Sequence, residues 1–226
     1  MKNQYLLPIA IIIAGLVLAV AVYMVRVADN PGVKGGDPDL VRPVDASDHI
    51  VGNPDAPVKI VEYSDIDCQY CKQFQAVMAQ IMTEYGANGE VAWVYRHFPV
   101  LSAHANSGKH AEAAECVASL GGDTAFFQFI DALQQSSGSG QFLPSGYGAV
   151  VESLGLSTSA FATCIEGDEF EARVAQDFDN ALLSGGSGTP YTIVLIEGAK
   201  SVPITGALPY ESMKEVIETA LSKVAP

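Results

Sequence analysis

VKIVEYSDIDCQYCKQF, residues 58–74, changes its hydrophobic period halfway along. Val58 to Tyr63 reads as a strand, with Val58, Ile60 and Glu62 sharing one face. A carboxylate on an apolar strand face is unusual. From Cys68 onward the period lengthens. Phe74, Val77, Met78, Ile81, Met82 and Tyr85 follow the i, i+3, i+4, i+7 spacing of an amphipathic helix, which is therefore predicted over residues 68–85, with Gly86 and Gly89 at its end. Cys68 and Cys71 stand at the junction where strand gives way to helix.

That position has a chemical consequence. The first turn of a helix carries unpaired backbone N–H groups and a partial positive charge. A thiolate at Cys68 would be stabilised there, its pKa drawn from about 8.5 into roughly the 3.5–7.5 range. Cys71, three residues on, is within reach to close a disulfide and to act as the resolving thiol. Other readings of a C-x-x-C pair are half of a zinc site or a purely structural bridge. The only further cysteines, Cys116 and Cys164, are 48 positions apart, which is not the close second pair that a zinc site uses.

Downstream, Val91 to Tyr95 is a continuous apolar run suited to a strand covered on both faces. A long helical stretch follows. Phe126, Phe129, Ile130 and Leu133 make one stripe, Tyr147, Val150, Val151 and Leu154 a second, and Phe170, Val174, Ala181 and Leu182 a third. After Gly185–Gly188 and Thr189-Pro190, Tyr191 to Ile196 reads as a strand, Ser201 to Thr205 as a short partner, and Tyr210 to Leu221 as a final helix. The predicted class is an α/β sheet with an all-helical insertion at about residues 103–184.

Upstream, Leu6 to Val25 is a run of twenty residues without a charge, long enough at 1.5 Å per residue to cross a bilayer core of about 30 Å. Residues 1–27 are expected to form one N-terminal transmembrane helix; a cleaved signal is the alternative, with Ala19 and Ala21 as a small-residue site. Residues 28–46, rich in Gly, Pro and Asp, read as a flexible linker, and residues 47–226 as the folded domain. Lys2 and Arg26 flank the span almost evenly, so charge hardly fixes its orientation. The net charge is −14, and all 26 acidic residues follow residue 27. Such a domain repels nucleic acid and anionic headgroups, which excludes nucleic acid as a partner class.

In five stretches the chain resembles the DsbA-like thiol–disulfide oxidoreductases: SDIDCQYCKQF at 64–74, VYRHFP at 94–99, AAEC at 113–116, SGTPY at 187–191 and ITGALPYE at 204–211. The resemblance implies a thioredoxin-like fold with the helical subdomain inserted in it. It also implies that Cys68 and Cys71 are catalytic, and that Pro190 is cis and packs beside them. Thr189 would then offer its backbone to a client peptide, with Gln69 and Tyr70 on the same binding face. Glu62 matches the family's buried acid beneath the site, able to relay a proton to or from Cys71. Asp65 and Asp67 are expected to decorate the rim and to oppose the Cys68 thiolate. His97 reads as a hydrogen-bonded structural histidine; His49, His104 and His110 lack a supporting constellation.

Cys116 and Cys164 fall on apolar positions of insertion helices, either as a structural disulfide or as two buried free thiols. The expected function is that of a dithiol oxidase, anchored in a bacterial cell membrane with its domain on the periplasmic or extracellular side. It would give its disulfide to exported client proteins with free thiols and be reoxidised by a membrane redox partner. Neither cofactor nor metal is expected. Gln69-Tyr70 departs from the Pro-His of the best-known oxidases, which keeps a reductase or isomerase in view. A metal-holding C-x-x-C module and a tethered binding domain with a decayed site are the readings from other classes.

Overall fold

A computed structural model describes residues 36–136 and 142–224. The expected transmembrane helix over residues 1–27, and linker residues 28–35, lie outside these. Among the described residues no helix is long and apolar enough to cross a membrane.

The elements, in chain order, are β1 (His49–Gly52), β2 (Val58–Ser64), α1 (Gln69–Ile81), β3 (Val91–His97), α2 (Ser107–Ser136), α3 (Tyr147–Ser153), α4 (Thr158–Glu166), α5 (Glu171–Leu183), β4 (Tyr191–Ile196), β5 (Val202–Thr205) and α6 (Tyr210–Leu221). The strands form one sheet in the order β1-β3-β2-β4-β5. β2 runs parallel to β3 and antiparallel to β4. β1–β3 and β4–β5 are antiparallel. This is the expected α/β fold, with α2–α5 inserted between β3 and β4.

Both faces of the central strands are covered, which is why β2 and β3 read as near-continuous apolar runs. On one face Val58, Ile60, Trp93 and Tyr95 pack with Phe74 and Met78 of α1, Phe126 and Phe129 of α2, and Ile217 of α6. On the other, Val61, Tyr63 and Val94 pack with Phe98, Ala181 and Ile193. Alternation along β2 places Glu62 among the first set, as its face-sharing with Val58 and Ile60 predicted. α1 is shorter than the periodic stripe, because its last turn loosens into a π-helical turn at Met82–Gly86. The 30-residue α2 breaks at Gly122, whose φ of 70° is non-helical.

The sequence did not announce β1, four residues with no run of apolar alternation, nor the docking of the segment before it. Residues 36–46, expected as the end of a flexible linker, are instead held on the domain. The Asp37 N–H donates to Leu183 O at 3.1 Å, and the Arg42 N–H to Asn180 Oδ1 at 2.9 Å. Arg96, wholly buried on β3, binds both oxygens of Asp48 at 2.8 and 2.9 Å and the carbonyls of Arg42 and Pro43. A charged residue inside a buried strand thus finds its partners in the supposed linker and just beyond it.

Candidate active site

Cys68 is the N-cap of α1, in extended conformation (φ −77°, ψ 120°), with Cys71 on the helix's first turn. Its N–H donates to Asp65 O at 3.0 Å, closing the turn that carries the chain from β2 into the helix. Both cysteines are buried and free. From the far side of the sequence the Thr189-Pro190 peptide, which is cis, reaches the same place. The thiol of Cys68 points at the Thr189 carbonyl, 3.5 Å away. Gly185 makes the approach possible with φ 106°, a conformation that L side chains avoid. The Tyr191 hydroxyl fastens the loop by donating to Ser184 O at 2.6 Å.

The two sulfurs are driven apart electrostatically. The Cys68 thiol is lowered to about 5, first because the Cys71 thiol donates to it, then through Thr189 and the backbone N–H groups of Cys71 and Tyr70; together these outweigh its burial. Cys71 moves the opposite way, raised by burial and then by the neighbouring Cys68 and Glu62. The Asp65 N–H points at the Cys71 sulfur, 3.5 Å away. Such a pair presents one reactive sulfur and keeps its companion protonated.

Glu62 lies beneath the pair, wholly buried between Tyr95 of β3 and Thr192 of β4. The Trp93 indole N–H donates to its Oε2 at 3.0 Å. Burial pushes its carboxyl up to about 7, where it can exchange a proton near neutral pH. Gln69 and Tyr70 face solvent, Tyr70 at 64% exposure. Beside Gly188, an apolar groove of about 550 Å³ is lined by Phe98, Leu101, Val174, Phe178 and Leu182. A larger groove, about 880 Å³, runs between α1 and α2 and includes neither cysteine.

The structure corrects the expectation for Asp65 and Asp67. Neither carboxylate decorates the rim. Asp65 is buried, and its oxygens accept from the N–H groups of Asp67 (2.8 Å) and Val100 (2.7 Å) and contact His104 Nδ1 (3.0 Å). Asp67 meets His110, 3.3 Å away. His49 also has a constellation: its ring nitrogens lie 3.1 Å from Glu115 and 2.8 Å from Asp123. His97 is buried with Nε2 3.2 Å from Glu115, but neither ring nitrogen makes the formed hydrogen bond that was expected. Sequence reasoning missed these pairs because partners 18 to 74 positions apart carry no local spacing. Cys116 and Cys164 are bonded to each other, with Cα atoms 5.9 Å apart, tying α2 to α4.

A family model described as Thioredoxin matches residues 45–219. Among solved structures, the fold is similar to that of Wolbachia pipientis alpha-DsbA1, with a TM-score of 0.71 at 22% identity over 83% of this chain and 96% of that one. A thioredoxin-like oxidoreductase from Silicibacter pomeroyi is 27% identical, with a TM-score of 0.64 over 80% of this chain and 95% of that one. Among curated proteins, residues are 34% identical over a 160-residue stretch of the Na(+)/H(+) antiporter NhaA 1 of Salinispora arenicola; that stretch is 70% of this chain but 23% of the antiporter, so the chain spans about a quarter of that relative's length. The match from residue 45 to 219 means that the chain belongs to the thioredoxin family, and its fold, a sheet interrupted by helices, is similar to that of the DsbA-type structures.

Proposed function

We propose that this protein is a dithiol oxidase acting outside the cytoplasm. A client thiolate attacks the Sγ of Cys68 in the oxidised pair. The Cys68–Cys71 bond breaks, a client–Cys68 disulfide forms, and Cys71 leaves with the electron pair and takes up a proton, for which Glu62 is the nearby source. A second client thiolate then attacks the client sulfur, and Cys68 departs as a thiolate. Two client thiols are oxidised to a disulfide and the enzyme pair is reduced to a dithiol. Thr189 pairs with the client backbone, Gln69 and Tyr70 flank it, and a membrane redox partner restores the disulfide. Residues 1–27 anchor the domain to a bacterial membrane from the periplasmic or extracellular side; the uncharged run Leu6–Val25 supports this.

The observation that carries the oxidase reading is the placement of Cys68 at the N-cap of α1 with Cys71 on the first turn, which goes with a thiol lowered to about 5. A stabilised thiolate favours the reduced enzyme, and a stable reduced form makes its disulfide a strong oxidant. The test is the reduction potential of the Cys68–Cys71 couple. A value near about −120 mV supports the oxidase, and one near about −270 mV turns the reading to a reductase. Cys71→Ser should accumulate client adducts on Cys68; their absence from a cell expressing the variant would count against client oxidation.

A further inference from the structure

Asp67 directly precedes Cys68, so a carboxylate enters the turn where a thiolate must form, and like charge opposes ionisation. The helical insertion supplies a partner for it. The Asp67 side chain is 1% exposed, and its Oδ1 lies 3.3 Å from Nε2 of His110. His110, near the start of α2, is wholly buried. Its Nδ1 lies 2.6 Å from the hydroxyl of Tyr147, the first residue of α3. Burial holds the Tyr147 phenol above the ordinary tyrosine range, with Asp67 and Glu112 adding to the effect, and the direction of its bond with Nδ1 follows the tautomer of the ring. With the phenol as donor at Nδ1, the ring hydrogen stands on Nε2, the nitrogen that faces Asp67. Glu112, the other carboxylate acting on Tyr147, is engaged by Lys109 at 2.9 Å. Asp67 Oδ2 and His110 Nε2 are each buried without a formed hydrogen bond among the described residues, so the imidazole and the carboxylate face each other as an unsatisfied close pair.

We propose that Tyr147 and His110 form a relay from the helical insertion to the active-site turn, and that by holding the Asp67 carboxylate it sets how readily Cys68 departs as a thiolate. This rests on the reading of Cys68–Cys71 as a redox couple. Neither residue touches a reacting sulfur, so both are positioning residues. The arrangement gives the insertion a part in the chemistry of the sheet domain, through a contact that joins residues 67, 110 and 147.

The test measures, in the full-length chain at pH 7, the equilibrium constant for reduction of the Cys68–Cys71 disulfide by glutathione. His110→Leu leaves the Asp67 charge unshielded beside Cys68, and the constant should fall about tenfold, the equivalent of one pKa unit. Tyr147→Phe should act in the same direction and more weakly. Asp67→Asn should raise the constant and abolish the response to His110→Leu. A response of equal size with and without Asp67→Asn, or no response, would mark His110 as a packing residue and overturn the proposal. Should His110→Leu fail to fold, Tyr147→Phe carries the same comparison. A wild-type chain that forms no couple with glutathione at all would remove the redox reading itself, before any variant is compared.

Discussion

Glu62 and Cys71 share a buried pocket in which neither ionises at its ordinary pH, and the cost of that arrangement can be measured. The Glu62 carboxyl sits at about 7 in the folded protein, raised by burial from 4.5. A group so raised costs nothing below its unfolded value, where both states are protonated. As pH climbs towards 7 and beyond, the unfolded chain is favoured by up to about 3 kcal/mol. Glu62→Gln should therefore stabilise the domain above pH 7 by an amount approaching that figure and change little at pH 4, as read by denaturant melts across pH. The same variant should slow turnover near neutrality if Glu62 supplies the Cys71 proton. Cys68 gives a second check. Its alkylation rate should fall off below about pH 5 and level off above about pH 6, whereas an ordinary thiol keeps rising beyond pH 8. At this scale much was legible. Strand alternation put Glu62 on the core face, and the strand-to-helix switch put Cys68 at a helix start. The divergence of the two sulfurs was not, because it depends on the bond that the Cys71 thiol gives to Cys68 and on the burial of Cys71.

Strand β3 shows what an apolar run conceals. Val91 to Tyr95 reads as covered on both faces, and it is, yet Arg96 directly after it on the same strand is also fully buried and is bound to Asp48. Removing one member of a buried ion pair strands the other, so Arg96→Met should destabilise by about 3–5 kcal/mol in chemical denaturation. It should also free the segment before β1, raising amide exchange around residues 42–48. The boundaries of α1, α3, α5 and α6 were legible to within about a turn from the i, i+3, i+4 stripes, whereas the start of α2 at Ser107 and the whole of α4 carried no stripe. Residues 36–46 were misread because their Gly, Pro and Asp content describes a loop equally well when it is pinned. Gly36 shows how closely: a Cβ there would lie 2.2 Å from the Gly185 nitrogen, so Gly36→Ala should shift this stretch off α5.

Across the whole molecule, the sheet and the insertion meet over a buried charge cluster. Glu115 of α2 faces His49 of β1 and His97 of β3, with the Arg173 Nε of α5 2.8 Å away. Its carboxyl is held below the usual carboxylate range, most strongly by the bonds from His49 and His97, which outweigh burial. That contribution is present above the unfolded value of about 4.5 and lost as pH falls beneath it. His49 is raised by Glu115 and Asp123 against its burial, so its contribution is present below about 6.5 and lost as pH rises past its raised value. Attachment of the insertion to the sheet should be tightest between roughly pH 4.5 and 6.5, which hydrogen exchange of α2 would reveal. The Cys116–Cys164 bond adds about 4 kcal/mol by closing a 48-residue separation in the chain-entropy model; Cys116→Ala with Cys164→Ala should show that loss in melts.

The Thr189 carbonyl that meets the Cys68 sulfur stands 121 positions later in the chain. A polypeptide still being made lacks that wall behind the sulfur. The group that most lowers the Cys68 thiol is the Cys71 thiol, and backbone N–H groups of residues 70 and 71 add to it. The acidity therefore belongs to the helix start, while the surface beside it is completed only by the last third of the domain.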